Sequence, residues 1–275
     1  MAIPRAIFRF IPMIGIHHII MVICSTAIIL LSIVLGGCTS TNGLSNVYLV
    51  SLQYRNTNAP IRADPAMVNP GIADKVYNVT HPRNATIITE IRAAYMGLCL
   101  IRSDGLRFCS SSAEALASLA KDSGNSTADP LNLIWIAKQF KDTMVFDGLI
   151  FIAVVLTFLC FVLLWTFPGW HEEVNDDGSE IEVKPFPSRP VSQAALGLIG
   201  LGFMFGLVSI LWQHINSSAA GTMAEGLTYG AVESHVGTAA VVLGWAAVVC
   251  MGLSTVALLS MIWSINILRQ MTDED

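Results

Sequence analysis

Two cysteines in a polar stretch are the residues whose spacing points most directly to chemistry. Cys99 and Cys109 flank a Ser-Asp-Gly triplet at 103–105 that has the composition of a three-residue hairpin loop. Folding the chain about Asp104 brings the two cysteines opposite each other. Facing β-carbons lie about 4.5–5.5 Å apart, and a disulfide needs about 3.5–4.5 Å. The register therefore predicts a disulfide hairpin, and the alternative is two free thiols.

Three acidic residues are candidates for attracting a cation. Asp147, Glu225 and Glu233 lie at or near the ends of long apolar segments, where carboxylates can raise the local Ca²⁺ concentration. The structural alternative is that they are solvated helix ends. The sequence has no nucleotide-binding loop, His cluster or Gly-x-Ser-x-Gly elbow. It therefore predicts no catalytic residue, no metal centre and no cofactor.

Four apolar segments must position these groups. With 53% hydrophobic and 13% charged residues, the chain has the composition of a membrane protein. A spanning helix needs about 20 apolar residues, and the segments 19–37, 148–167, 194–212 and 236–264 meet that length without a charged residue. The basic residues do not cluster, which argues against a nucleic-acid partner. We expect an all-α membrane protein, a four-transmembrane-helix bundle in the lipid bilayer.

The first apolar segment has a second interpretation. Leu35-Gly-Gly-Cys38 is similar to the cleavage box of a bacterial lipoprotein signal. The segment is longer than a typical signal core and three further spans follow, so we interpret it as a retained span.

Two signals indicate the orientation. Arg5 and Arg9 precede the first span and favour a cytoplasmic amino terminus. That orientation places every N-x-S/T acceptor outside the cell; the acceptors are Asn78, Asn84, Asn125 and Asn216. The acidic loop 168–193 opposes this assignment, although acids count little in the positive-inside rule. The expected domains are cytoplasmic segments 1–18, 168–193 and 265–275 and outer loops 38–147 and 213–235.

The outer loop 38–147 is expected to hold a small sheet and short helices. β-Branched and aromatic residues between Thr86 and Arg102 favour strands. Ala113–Ala120 and Leu131–Lys141 favour helices. In the third span, Gly197, Gly200, Gly202 and Gly206 predict close helix packing, either within the bundle or between copies of the chain.

A six-residue motif ties the hairpin to a known family. Ala94-Tyr95-Met96-Gly97-Leu98-Cys99, followed by Cys109, resembles the Gly-Φ-Φ-Gly-x-Cys…Cys signature of the fungal Ca²⁺ regulator and membrane-fusion family, the pheromone-induced Fig proteins. That signature is a variant of the claudin motif. Ala94 stands where the pattern has glycine, and the tryptophan of true claudins is absent.

The resemblance implies a claudin-like plasma-membrane protein that supports low-affinity Ca²⁺ influx and cell fusion during fungal mating, concentrated at growth or mating tips. The charge-free spans favour a regulator, a homo-oligomer or a partner of a Ca²⁺ channel over a self-contained pore. The alternative function is a cortical scaffold or adhesion protein that organises membrane domains without affecting ion flux.

Overall fold

Long apolar helices make up most of the described chain. The computed structural model describes residues 16–41, 43–55, 71, 75, 78, 88–122, 129–167, 171–174, 180–183 and 188–273. Four of the helices in these ranges are long and apolar enough to cross a membrane. They are α1 (Ile16–Leu35), α4 (Asp147–Trp165), α5 (Arg189–Leu227) and α6 (Thr238–Asp273). The protein is therefore a mostly helical, multi-pass membrane protein.

The chain divides into two compact units. The first unit holds residues 1–30, 151–207 and 246–275, and its buried residues include Ile20, Leu164 and Ile199 as well as Cys24 and Met251. The Cys24 thiol lies 3.6 Å from the Ser254 hydroxyl. The Thr157 hydroxyl donates to the Ala153 carbonyl oxygen at 2.8 Å and contacts the Met251 sulfur at 3.4 Å. The Thr157 hydroxyl therefore satisfies its own helix backbone and contacts a neighbouring helix.

The glycines of α5 in this unit differ in their surroundings. A β-carbon on Gly202 would lie 3.2 Å from the Thr157 hydroxyl, and one on Gly206 would overlap the Met251 methyl group. Neither Gly197 nor Gly200 has a described atom within 4 Å of such a β-carbon. Two of the four glycines thus allow close packing inside the unit.

A short hairpin lies between α4 and α5. Strand β5 (His171–Val174) pairs antiparallel with β6 (Glu180–Val183). This hairpin lies in the predicted acidic loop 168–193, for which the sequence analysis predicted no strands.

The second unit holds residues 31–150 and 208–245 and is built on an antiparallel sheet. Its strands are β1 (Val50–Tyr54), β2 (Ile88–Ala93), β3 (Leu98–Arg102), β4 (Arg107–Ser110) and β7 (Val232–Val236). In the described residues the strand order is β4-β3-β2-β1-β7. The predicted strand region Thr86–Arg102 thus contains two strands separated by a turn, and β1 and β7 complete the sheet.

Two helices pack beside the sheet. They are α2 (Ala113–Asp122) and α3 (Leu133–Met144), which lie in the two predicted helical segments. Leu133, Ala137 and Phe140 are buried at helical spacing on α3, which contacts β2 and β3. The Asp129 carboxylate accepts backbone N–H bonds from Leu133 and Ile134 at 2.8 and 3.0 Å, so it caps this helix.

The same carboxylate joins α3 to the sheet. The Tyr54 hydroxyl donates to Asp129 at 2.7 Å and accepts the Leu131 N–H at 3.0 Å. Burial, followed by the neighbouring Asp129 carboxylate, raises the pKa of Tyr54. Tyr54 therefore stays a neutral donor and holds the end of β1 against the start of α3.

Candidate functional site: the disulfide hairpin and its motif

The β3–β4 hairpin places the two cysteines of the predicted outer loop directly opposite each other. The Arg102 N–H donates to Leu106 at 3.0 Å across the turn, and Gly105 takes the left-handed conformation with φ 83°. Three pairs further along, Cys99 faces Cys109 with the Cα atoms 4.1 Å apart, and a disulfide joins them. This is the register that symmetry about Asp104 predicts.

The residues before the first cysteine form the β2–β3 turn. The Ala94 N–H donates to the Gly97 carbonyl oxygen at 2.9 Å. A β-carbon on Gly97 would overlap the Cys38 carbonyl and lie 2.9 Å from the Thr39 nitrogen. Only glycine fits this approach, because the obstructing atoms belong to the backbone. The motif glycine therefore allows the turn to contact the backbone of the segment that follows α1.

Ala94, which replaces the glycine of the family signature, is accommodated by a glycine elsewhere. The residue is buried, and its methyl group would lie 3.0 Å from a β-carbon built on Gly37. A β-carbon on Gly37 would also overlap the Val47 carbonyl oxygen. The missing side chain at Gly37 therefore leaves the space that the Ala94 methyl group uses.

The hydrophobic pair of the motif splits between the interior and the surface. Tyr95 is buried, and its hydroxyl donates to the Gln213 side-chain oxygen on α5 at 2.9 Å. Burial raises the pKa of Tyr95 to about 12. Met96 is 43% exposed. Tyr95 therefore links the turn to α5 at Gln213, whereas Met96 lies on the surface.

A buried cysteine completes the cluster under the disulfide. Cys38, Ala94 and Cys99 form one buried group, with Tyr48 and Cys109 packed against it. Cys38 is a free thiol in the left-handed conformation, with φ 55°. Burial raises its pKa to about 12, so the thiol stays protonated. Because only the thiolate attacks a disulfide, Cys38 can lie beside Cys99–Cys109 without exchanging with it.

The surroundings of Cys38 differ from those of a lipid-modified cysteine. A lipoprotein cysteine carries its lipid on the sulfur, whereas the Cys38 thiol donates to the buried Val47 carbonyl oxygen at 3.7 Å and its N–H donates to Leu44 at 3.0 Å. Cys38 is thus packed into the second unit through both its sulfur and its N–H.

An ion pair that the sequence analysis missed lies beside this cluster. The Arg92 guanidinium donates two bonds to the Glu90 carboxylate, at 2.7 and 3.2 Å. It also donates to the Ser45 carbonyl oxygen at 3.0 Å and to the Asn46 side chain at 2.9 Å, and it lies 4.8 Å above the Tyr48 ring. Arg92 faces Cys99 across β2 and β3, so it holds the 45–48 loop over the disulfide strand.

The spacing of Glu90 and Arg92 in the sequence could have indicated this ion pair. Glu90 and Arg92 are two residues apart in a strand, which puts both side chains on one face. Although burial alone lowers the pKa of Arg92, its hydrogen bond with Glu90 raises it. The arginine is therefore a permanently charged anchor for the loop.

The three acids predicted to attract a cation, called the rim acids below, have different surroundings. Asp147 is exposed in the first turn of α4. The Glu225 carboxylate accepts both the N–H and the hydroxyl of Ser234 at 3.0 Å, and Glu233 lies on β7 opposite Gln53. Across the residues that the structure describes, no group of three His, Cys, Asp or Glu side chains could hold a metal ion. The acids therefore do not converge on one metal site there.

The predicted glycosylation acceptors also differ. Asn78 is exposed and has a helical backbone conformation, whereas Asn84 and Asn125 lie outside the described residues. Asn216 lies within α5, and its side-chain nitrogen is buried. A glycan bonds to this nitrogen, so the folded structure leaves no room for one at Asn216.

Comparison with known families identifies the family of the chain. A family model described as "Ca2+ regulator and membrane fusion protein Fig1" matches residues 76–264. The chain belongs to this family. The match to the Fig1 family includes the motif turn, the disulfide hairpin, α4, α5 and α6 up to residue 264. No curated protein and no solved structure matches the chain.

The Fig1 family is described by Ca²⁺ regulation and membrane fusion, and not by an enzymatic activity. Strand β1, the Cys38 segment and helix α1 precede the matched range. The motif glycine at Gly97 contacts Cys38, which lies in that preceding part of the chain.

Proposed function

We propose that this protein is a plasma-membrane regulator of low-affinity Ca²⁺ influx and of cell fusion during fungal mating. The observation that carries the proposal is the Fig1 family match over residues 76–264, which includes the complete motif and hairpin. The proposal adds two points to the family's description, namely that the protein acts at the plasma membrane and that it acts during mating.

A regulator fits the physical chemistry better than a self-contained pore. A cation that crosses a membrane needs oxygen ligands at membrane depth, and the segments 19–37, 148–167, 194–212 and 236–264 contain no Asp, Glu, Lys or Arg. The outer sheet, by contrast, is braced by a disulfide, an arginine anchor and a backbone contact at Gly97. Such a rigid outer unit suits recognition of a channel partner or an opposing cell.

The direct experiment restores the gene in a deletion strain and measures two outputs. We expect wild-type protein to restore pheromone-stimulated ⁴⁵Ca²⁺ uptake and mating efficiency, and the Cys99→Ser/Cys109→Ser variant to restore neither. Cys250→Ala, which removes a free thiol from α6, is the matched control. Normal uptake and normal mating in the deletion strain would refute the proposal.

The rim acids are a separate part of the proposal. Asp147→Asn and Glu233→Gln remove charge from residues without a described ion pair, so reduced uptake would support electrostatic attraction of Ca²⁺. Glu225→Gln is the comparison, since Glu225 also holds Ser234 of β7. Unchanged uptake in the Asp147→Asn/Glu233→Gln double variant would remove this part and leave the regulator proposal standing.

The competing function is a cortical scaffold or adhesion protein of the claudin-like type. Four membrane helices with an outer antiparallel sheet are the features that favour it. It predicts loss of membrane-domain patterning in the deletion strain while Ca²⁺ uptake and mating stay normal. Fluorescence imaging of a domain marker, done beside the uptake assay, separates the two functions.

The same proposal includes the topology and assembly of the chain. Both termini lie in the cytoplasm, the protein concentrates at mating or growth tips, and copies associate through Gly197 and Gly200. The support for association is the open space beside these two glycines. Gly197→Leu/Gly200→Leu should reduce crosslinking between copies, and crosslinking that yields only monomer for the wild type would exclude association.

A further inference from the structure

An apolar row on the exposed side of α5 takes no part in the features described above. Leu211, Ile215, Ala219, Met223 and Leu227 follow one another at intervals of four residues, which places them in one row along the helix. Ile215 is 55%, Met223 is 60% and Leu227 is 80% exposed. Leucine, isoleucine and methionine side chains are most often buried. The row, called the α5 ridge below, is therefore an exposed apolar surface.

The opposite side of this part of α5 is held by the sheet. The Gln213 side chain accepts from the Tyr95 hydroxyl, and the Glu225 carboxylate accepts from the N–H and the hydroxyl of Ser234. A β-carbon on Gly221 would lie 2.6 Å from the Ser234 hydroxyl oxygen. These contacts fix the helix against the sheet, so the α5 ridge is presented as a rigid surface.

Lipid does not cover the far end of the α5 ridge. With the third span ending at Trp212, as the sequence predicts, Met223 and Leu227 lie 11 and 15 residues beyond that end. At 1.5 Å per residue these distances are about 16 and 22 Å, whereas the headgroup layer on each side of the hydrocarbon core is about 5–8 Å thick. Both side chains thus lie beyond the bilayer, where water or protein must contact them.

The chemistry of the ridge restricts its partner. Residues 208–224 contain no Asp, Glu, Lys or Arg. The hydroxyls beside the ridge bond to their own helix, since Ser218 donates to the His214 carbonyl oxygen at 3.0 Å and Thr222 donates to the Ala219 carbonyl oxygen at 2.9 Å. An uncharged apolar row can face an identical row without repulsion. A second copy of the chain is therefore a partner of matching chemistry.

Two copies in one bilayer can bring their ridges together. A twofold axis along the membrane normal relates copies of the same orientation, and each ridge residue then meets its own counterpart. Interdigitating rows of four-residue spacing cross at about 50°. Each helix must then tilt by about 25°, close to the average tilt of about 20° for membrane helices. Ala219 is the smallest ridge residue and lies at its centre, so the two backbones can approach closely there.

We propose that the α5 ridge is a contact between two copies of this protein outside the membrane, with the two helices crossing at Ala219. Ile215 packs one turn below the crossing point and Met223 one turn above it. Helices that cross at Ala219 diverge toward the membrane, so this contact is separate from Gly197 and Gly200. It goes beyond the proposed function and does not depend on association through those glycines.

The test measures disulfide crosslinking of the full-length protein in membranes. Ile215→Cys, in a Cys250→Ala background, should form a disulfide-linked dimer on oxidation with copper phenanthroline, because both copies place residue 215 beside the crossing point. Met96→Cys in the same background is the matched control, since Met96 is 43% exposed on the β2–β3 turn and lies off the ridge. This control should stay monomeric.

A charge on the ridge tests whether the partner is a second copy. Met223→Lys, added to the Ile215→Cys protein, places two positive charges face to face and should reduce the dimer about tenfold, as for a strongly contributing interface residue. Met223→Glu should act in the same way. Co-expression of the two charged variants under different tags should restore the crosslink between the tags. Because Met223 is 60% exposed, both variants should keep the melting temperature of the parent.

Gly197→Leu/Gly200→Leu should leave the Ile215→Cys crosslink unchanged, which separates this contact from the proposed association through the glycines. Loss of the crosslink in that variant would assign the contact to the glycines and overturn the inference. An Ile215→Cys protein that stays monomeric or crosslinks only to another protein would also overturn it, and so would a mixed charged pair that restores nothing. If a charged variant does not fold, the comparison of Ile215→Cys with Met96→Cys decides the question.

Discussion

Replacing the motif glycine is the sharpest test of how the second unit is built. A methyl group at position 97 would overlap the Cys38 carbonyl and lie 2.9 Å from the Thr39 nitrogen. These atoms belong to the backbone of a segment that Cys38 already holds in the left-handed conformation, so the clash cannot be relieved by a side-chain rotation. We therefore expect Gly97→Ala to cost about 3 kcal/mol, the upper end of the usual cost of overpacking.

The free cysteines of the protein provide the assay. Cys24, Cys38 and Cys160 are buried free thiols, so a thiol-reactive dye becomes fluorescent as the protein unfolds in detergent. In a protein of about 150–250 residues, 1 kcal/mol shifts the melting temperature by about 2–4 °C. For Gly97→Ala we thus expect a decrease of about 6–12 °C.

The control for this experiment is another glycine of the same outer loop. A β-carbon on Gly43 would meet no described atom within 4 Å. Gly43→Ala should therefore leave the melting temperature unchanged or raise it slightly, because alanine restricts the unfolded chain. If Gly97→Ala melts within about 2 °C of the wild type, the close backbone contact between the motif turn and Cys38 is wrong.

Three further predictions use the same protein. Arg92→Ala leaves the Glu90 carboxylate without its bidentate partner and should lower the free energy of unfolding by about 2 kcal/mol. Arg107→Ala removes an exposed arginine and should change it little. Equal melting temperatures for the two variants would contradict the anchoring role of Arg92. Because burial raises the pKa of Tyr95 from 10.0 to about 12, folding favours the protonated form of this side chain. The resulting stabilisation is complete below pH 10 and is lost between pH 10 and 12. Tyr95→Phe should remove this part of the pH dependence of the melting temperature. Asn78→Gln should remove a glycosidase-sensitive mobility shift, whereas Asn216→Gln should not, and a shift at Asn216 would contradict its burial.

The local features of the second unit could be predicted from the sequence. The Cys99–Cys109 register follows from a turn triplet and the two-residue period of a strand, which are both short-range. The helices at Ala113–Asp122 and Leu133–Met144 follow from helix-forming residues with apolar spacing. The four apolar helices follow from hydropathy and length alone.

The non-local features could not be predicted in this way. Strands β1 and β7 are five residues each and lie far apart in the chain, so neither sequence indicates the other as its partner. The role of Gly97 depends on Cys38, whose position beside the turn follows only from the folded chain. The continuation of α5 from Trp212 to Leu227 lacks the apolar signal of a span, and its polar residues favoured a loop assignment.

The pairing of β1 with β7 has a consequence for biosynthesis. Val50 of β1 follows the first membrane helix, and its partner Val236 immediately precedes the last one. The ribosome must therefore synthesise three membrane helices, and the translocon must insert them, before β7 can join the sheet. Until then β1 exposes an unpaired edge, which is a site for misassembly. A chain that stops before residue 232 lacks its final strand, so we expect cellular quality control to recognise it as misassembled and remove it.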